Sequence, residues 1–367
     1  MNRSDIIEFF KKYDFSFFGI SGGIFLIGIL NLYSATHATP ESNIYMAQLM
    51  WFLFSLLVGF FISLMQPKNF FRYAYFFYIV CIVLLVLVLF VGQKGMGAQR
   101  WIMIGPFRLQ PSELTKVGVV LGLGRWFSLH DPDREMGLRD IIMPFIIAFI
   151  PTLLIVVEPD LGTGLLVLLI FLVMAFYRRL NVKTIGIIAI VGIISGGLMY
   201  QFGLKDYQRK RVMTFIDPSA DAKGSGYNAI QSKIAIGSGQ FFGKGFKKST
   251  QASLNYLPEN HTDFAFSIFN EEHGFIGALF LISLYMILFW RYLWLAQSVT
   301  KVFDSIIAVG LMSIFFWHTF VNMGMVMGLM PVVGLPLPFV SYGGSALLTF
   351  GICNGIATSI SNSRNLF

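Results

Sequence analysis

Charge is what this chain has least of: 13% of its residues are Asp, Glu, Lys or Arg, while 56% are hydrophobic. Soluble domains carry about 25% charged residues, so a water-soluble globular protein is excluded and the membrane class is indicated. Cysteine is nearly absent as well. Cys81 and Cys353 stand alone in separate apolar stretches, which offers neither a disulfide framework nor a metal-ligand spacing and leaves both as packing residues. A small-residue cleavage site after the first apolar stretch is missing too, so no removable signal peptide is expected. Nor is there a nucleotide fingerprint. The glycine-rich run 237–245 follows no strand pattern and lacks a Gly-Lys-Ser/Thr ending, so no internal energy source is indicated, and no nucleic-acid partner is expected.

What the chain does have is long apolar runs, each close to the roughly 20 residues that cross a hydrocarbon core as a helix. Ten are expected, at 15–35, 47–65, 73–92, 113–129, 141–157, 161–177, 184–203, 268–290, 303–327 and 341–360. The fold class is therefore an all-α polytopic membrane protein, a single integral-membrane domain over residues 1–367. Lys and Arg set its orientation, because short basic connections stay in the cytoplasm. Arg3, Lys11 and Lys12 precede the first span; Lys68 and Arg72, Arg134 and Arg139, then Arg178, Arg179 and Lys183 follow spans two, four and six; Arg291, Lys301 and Arg364 complete the set. Connections 36–46, 158–160 and 328–340 carry no Lys or Arg. Both termini are thus expected in the cytoplasm, with one long external loop, 204–267, between spans seven and eight.

That loop carries the chemistry. Within 204–265 nine basic residues face five acidic ones, a positive surface suited either to an anionic lipid-linked ligand or to anionic headgroups. Its glycine-rich run permits tight turns and close backbone approach. Leu257-Pro-Glu-Asn-His-Thr-Asp-Phe264 gathers Glu259, His261 and Asp263 just before span eight. Asp263 can be a base for a sugar hydroxyl, tuned by its neighbours, or simply the cap of the following helix.

Three more clusters lie on the same side. Arg100 and the helix start Gln110-Pro-Ser-Glu-Leu-Thr-Lys116 place Glu113 and Lys116 three apart on one face. Arg100 and Lys116 can hold a pyrophosphate while Glu113 orients the lysine; the alternative is an interfacial anchor with a snorkelling lysine. Glu158-Pro-Asp-Leu-Gly-Thr163 is a tight turn in which Asp160 is a further candidate or an N-cap. His318 and Asn322 share a face of span nine, where such residues usually make interhelical hydrogen bonds. The Pro331–Pro338 stretch and Ser341-Tyr-Gly-Gly-Ser345 read as non-helical backbone at membrane depth, tolerated only against protein or a wet cavity.

Together Arg100-Trp101, Gln110–Lys116, Glu158–Thr163, Gly243-Lys-Gly-Phe246, Leu257–Phe264 and Gly334–Ser345 resemble the SEDS family (shape, elongation, division and sporulation proteins) over nearly the whole chain. Gly243–Phe246, Thr250-Gln251 and Leu254–Leu257 resemble its rod-shape branch. Two positions depart from the family pattern, Ala265 within Phe264-Ala-Phe266 and Asn260, and neither removes a functional group. The resemblance implies a peptidoglycan glycosyltransferase that polymerises lipid II in the bacterial plasma membrane, with its active site on the extracytoplasmic face. Asp263 matches the family's essential carboxylate, the expected general base. Arg100, Glu113, Lys116, Asp160, Glu259 and His261 are the expected substrate-binding set. The implied partners are lipid II, the nascent glycan strand, a class B penicillin-binding protein and other elongation-complex membrane proteins. No cofactor is demanded by any spacing, though a divalent cation bridging pyrophosphate and carboxylates fits the chemistry.

Two other readings compete. A lipid II flippase would suit a ten-helix bundle, but the spans lack a mid-membrane acidic residue and a clear inverted repeat. A noncatalytic scaffold for the penicillin-binding protein would leave the external charged clusters unexplained.

Overall fold

The structure, a computed structural model, describes residues 11–37, 43–95, 98–105, 107–218 and 224–365. Arg3, Asp221, Lys223 and residues 38–42 of the first connection, all used in the charge reading, lie outside these. Seven helices come first: α1 (Ser16–Thr36), α2 (Ile44–Ser63), α3 (Pro67–Val91), α4 (Pro111–Ser128), α5 (Leu138–Val157), α6 (Leu161–Tyr177) and α7 (Val182–Leu198). Three shorter ones follow, α8 (Asp206–Ile216), α9 (Ser225–Gly239) and α10 (Thr250–Ser253). The chain ends with α11 (Ala265–Ser298), α12 (Val302–Val326) and α13 (Gly344–Asn365). Each expected span coincides with one of α1–α7 or α11–α13.

Among the described residues, seven helices are long and apolar enough to cross a membrane, α7 being counted with the π-helical turn Met199–Gly203 that continues it; α6 is apolar but shorter. The two that fall outside this pattern, α4 and α13, are the most interior. Almost all of α4 is buried, so Glu113 and Lys116 meet protein rather than lipid, and the helix needs no continuous apolar surface. Small residues let α13 press against α2: a Cβ on Gly351 would lie 2.5 Å from the Ser55 carbonyl oxygen, and one on Gly355 would lie 2.4 Å from that of Gly59. Close backbone approach of this kind is how membrane helices gain dispersion contact without a hydrophobic driving force. Pro67 and Pro111 open α3 and α4, where a missing N–H costs nothing.

Two features depart from the expected all-helical, loop-linked chain. The segment leading into α4 forms a small antiparallel sheet, β1 (Gln93–Gly95), β2 (Ala98–Ile104) and β3 (Phe107–Leu109), in order β1-β2-β3. The strand signal was Trp101-Ile-Met-Ile104 followed by Gly105, whose φ of 60° makes the turn. The second feature is the long 204–267 segment, which holds α8, α9 and α10 rather than irregular chain.

The glycine-rich run serves packing. Helix α11 is interrupted at Gly274 (φ 63°, ψ −163°), and the run docks onto the break. Lys244 and Gly245 N–H groups donate to the Glu271 and Glu272 carbonyls at 2.9 and 3.0 Å, while Phe275 and Ile276 donate to the Gln240 and Phe241 carbonyls at 2.8 and 3.2 Å. The backbone groups freed by the break are thereby satisfied within the protein. Glu271 anchors the docked segment, accepting from Lys244 Nζ, Ser249 Oγ and Thr250 Oγ1 at 2.5, 2.5 and 2.7 Å. Cys81 and Cys353 are free and buried, as packing residues.

Candidate active site

Asp263 stands two residues before α11, and it is not that helix's cap: Phe264 holds the N-cap position with no side-chain cap bond. Its main chain is fixed from the opposite side by the non-helical segment between α12 and α13. Asn322 Nδ2 donates to the Asp263 carbonyl at 3.0 Å and to the Leu335 carbonyl at 2.8 Å. Ser341 Oγ donates to the Thr262 carbonyl at 2.5 Å, and the Tyr342 N–H donates to the His261 carbonyl at 2.9 Å. Within the turn, Thr262 Oγ1 donates to Glu259 Oε2 at 2.8 Å. The non-helical stretch that looked anomalous at membrane depth is therefore a buckle that holds the Asp263 turn.

The Asp263 side chain is partly accessible and makes no hydrogen bond among the described residues. It points toward Gly334, where a Cβ would sit 3.5 Å from Oδ2, so a larger residue there would crowd the carboxylate. Burial pushes its pKa up to about 6; the Glu259 charge adds to this, Arg211 opposes it, and Asp160 adds a smaller push.

The other expected site residues converge on the same end of the bundle, but with different occupations. Asp160 caps α6, accepting from Thr163 N–H at 3.2 Å and Thr163 Oγ1 at 3.0 Å, and it also receives Gln110 Nε2 at 3.3 Å. Arg100 donates to the Glu158 carbonyl at 3.2 Å and to the Pro159 carbonyl, clamping that turn. Glu158 is buried with both oxygens lacking partners; burial pushes it up to about 8, with Asp160 adding and Arg100 opposing. His261 is half-buried, its ring 6.2 Å from that of Tyr342.

Lys116 is neither at the surface nor snorkelling: its exposure is 0%. Its Nζ donates to Glu113 Oε1 at 2.7 Å and lies 2.6 Å from His318 Nε2. An ammonium only donates, so Nε2 accepts and the imidazole proton sits on Nδ1, donated to the Pro336 carbonyl at 3.1 Å. The pairing of Glu113 with Lys116 is as expected, yet the pair is sealed between α4 and α12 and reaches the Asp263 turn only through His318 and the 331–343 buckle.

Two residues near Asp263 escaped sequence reasoning. Arg211, one of many loop cations, is the positive charge that acts on Asp263, and it also donates to the Val332 carbonyl at 3.2 Å. Asn322 was read as a generic interhelical hydrogen-bonder, and nothing in its spacing named its target. Among the described residues, no three His, Cys, Asp or Glu side chains gather as a metal-holding group.

Known proteins resemble this chain in sequence and fold. The profile of the FtsW/RodA/SpoVE family of cell cycle proteins matches residues 14–366. The chain is 43% identical over 303 residues to the peptidoglycan glycosyltransferase MrdB of Escherichia coli K12, covering 82% of this chain and 80% of MrdB. A chain from a peptidoglycan synthase complex, solved to show how polymerization and crosslinking are coordinated, superposes with TM-score 0.82 at 30% identity, over 97% of this chain and 99% of that one. The crystal structure of the rod shape determining protein RodA of Thermus thermophilus superposes with TM-score 0.72 at 28% identity, over 97% and 98%. With these motifs in order and a match over nearly its whole length, the chain belongs to the FtsW/RodA/SpoVE family.

Proposed function

We propose that this peptidoglycan glycosyltransferase polymerises lipid II by inverting displacement, with Asp263 as the general base. The Asp263 carboxylate removes the proton from the acceptor sugar's 4-hydroxyl as that oxygen attacks the donor's anomeric carbon. Undecaprenyl pyrophosphate leaves. Inversion needs one base and a stabilised leaving group, not a covalent glycosyl intermediate. One observation carries this reading: a carboxylate free of hydrogen bonds among the described residues, on a turn whose main chain is pinned by Asn322, Ser341 and Tyr342, with a pKa raised to about 6. Such a group is ionised at neutral pH yet basic enough to take a proton. Rigid backbone with an unengaged side chain is the arrangement expected of a positioned base.

The leaving pyrophosphate meets Arg211, whose charge already acts on Asp263, while Lys116 and Arg100 shape the site from behind. A divalent cation enters with the pyrophosphate rather than as a resident cofactor. The site faces the extracytoplasmic side of the plasma membrane and both termini the cytoplasm, as the basic short connections support. The partner is a class B penicillin-binding protein that crosslinks the product strands.

The decisive experiment is polymerisation of purified lipid II by wild type and Asp263→Asn, each reconstituted with that partner. No polymer from a folded mutant is expected, since the side chain has no structural hydrogen bond to lose. Equal polymer from both would remove Asp263 from the chemistry, and none from either would favour a lipid flippase or a scaffold.

A further inference from the structure

At the other end of α4 from the active site lies a cleft of about 430 Å³, lined by Lys68, Phe71, Ser128, Lys301, Phe303 and Asp304 among others. Gln110, beside the first residue of α4, bonds to Asp160 and Ser345 near the active site, and Ser128 ends the helix in the cleft. With 18 residues in α4, the two sites are roughly 27 Å apart at 1.5 Å per residue. The cleft takes no part in the chemistry above.

Asp304 is its unusual feature. Its exposure is only 4%, yet among the described residues it makes no hydrogen bond or ion pair. A carboxylate this enclosed calls for donors. The first turn of α12 and the nearby Lys301 charge support its negative charge, but among the described residues no donor bonds to it. Lys68 and Lys301 are exposed at the rim and carry no ion pair among the described residues. Ser128 Oγ donates to the Arg125 carbonyl at 2.9 Å, so toward the cleft it offers only lone pairs. The Phe71 and Phe303 rings meet edge-on at 5.2 Å and give the cleft an apolar wall.

The cleft thus presents two cations at its rim and two acceptors, one of them charged, further in. We propose that it binds the headgroup of phosphatidylethanolamine: the phosphate between Lys68 and Lys301, the primary ammonium donating to Asp304 and Ser128, and the glycerol against the Phe71–Phe303 wall. Basic pockets between membrane helices bind lipid phosphates, and the volume suits a small ligand. Phosphatidylglycerol would satisfy the lysines but offer Asp304 only neutral hydroxyl donors, with no positive charge to pair with the carboxylate. Phosphatidylcholine has no N–H to donate to it.

The test is native mass spectrometry of the purified, delipidated full chain with each of the three lipids added at equal concentration. Wild type retains phosphatidylethanolamine about tenfold more than either competitor, the expected effect of charge-assisted hydrogen bonds to one carboxylate. Asp304→Asn abolishes that preference, and K68A/K301A, altered only at exposed positions, lowers retention of phosphatidylethanolamine and phosphatidylglycerol alike. Equal retention of all three lipids by wild type, a preference for phosphatidylglycerol, an undiminished preference in Asp304→Asn, or undiminished retention of phosphatidylethanolamine by K68A/K301A would overturn the assignment.

Discussion

A proposed base whose pKa is raised to about 6 makes a directional prediction about pH. If Asp263 is the base it acts only when ionised, so polymerisation should be near its plateau at about pH 7.5 and fall as pH drops through the Asp263 pKa. Lipid II polymerisation at a series of pH values checks this, and a rate that is flat down to about pH 5 would exclude Asp263 as the base. Its neighbour Glu158 predicts a stability effect instead. A carboxyl raised to about 8 in the fold favours its protonated form, so its contribution is present at low pH and is lost as pH rises through that value. Glu158→Gln should therefore unfold at a higher temperature than wild type at about pH 9, with the gap closing toward about pH 5. At this scale the Glu113–Lys116 pair and the Asp160 cap were legible because short-range spacing marks them, whereas Asp263 was singled out by the family resemblance. Arg211 and the contact of Asn322 with Asp263 were not, because they are fixed by contacts across 121 and 59 residues of chain.

At the scale of elements, apolar runs located ten helices, seven of them long and apolar enough to cross a membrane, since lipid imposes that pattern on the sequence directly. The sheet before α4, the three helices inside 204–267 and the break in α11 are set instead by packing within the protein, and hydropathy is silent there. The glycines show the difference. Gly22 in α1 has nothing within 4 Å of where a Cβ would be, whereas at Gly274, with φ 63°, a Cβ would lie 2.4 Å from the Gly243 nitrogen. Gly22→Ala should leave thermal stability within about 0.5 kcal/mol. Gly274→Ala combines a left-handed backbone with a clash against main chain and should lose at least about 1–3 kcal/mol, along with the docking of residues 240–251. Equal melting temperatures for the two variants would mean that the break does not organise the loop. Glu113 and Lys116 allow a parallel test across α4 and α12. Lys116→Met should be strongly destabilising, by about 3–5 kcal/mol, because it strands a buried carboxylate, while adding Glu113→Leu should recover most of the loss. If the double variant is stable and still polymerises, Lys116 supports the site rather than touching substrate.

For the whole molecule the open question is which end of the bundle faces out. The structure sets the two ends apart: Asp263, Asp160, Arg100 and the 331–343 buckle lie at one end, the Lys68–Asp304 cleft at the other. Nothing in the helix packing assigns them to sides of a membrane; that comes from the basic residues of the short connections. The chain suits a direct measurement because both of its cysteines are buried, so a membrane-impermeant maleimide has little background. Lys248→Cys, exposed on the active-site end, should label in intact spheroplasts, and Asp131→Cys, exposed between α4 and α5, should label only after lysis. The reverse pattern would place Asp263 in the cytoplasm. There it would face away from the growing wall, leaving a bundle with a charged, lipid-facing chemistry but no polymer to extend, and the flippase reading would become the stronger one.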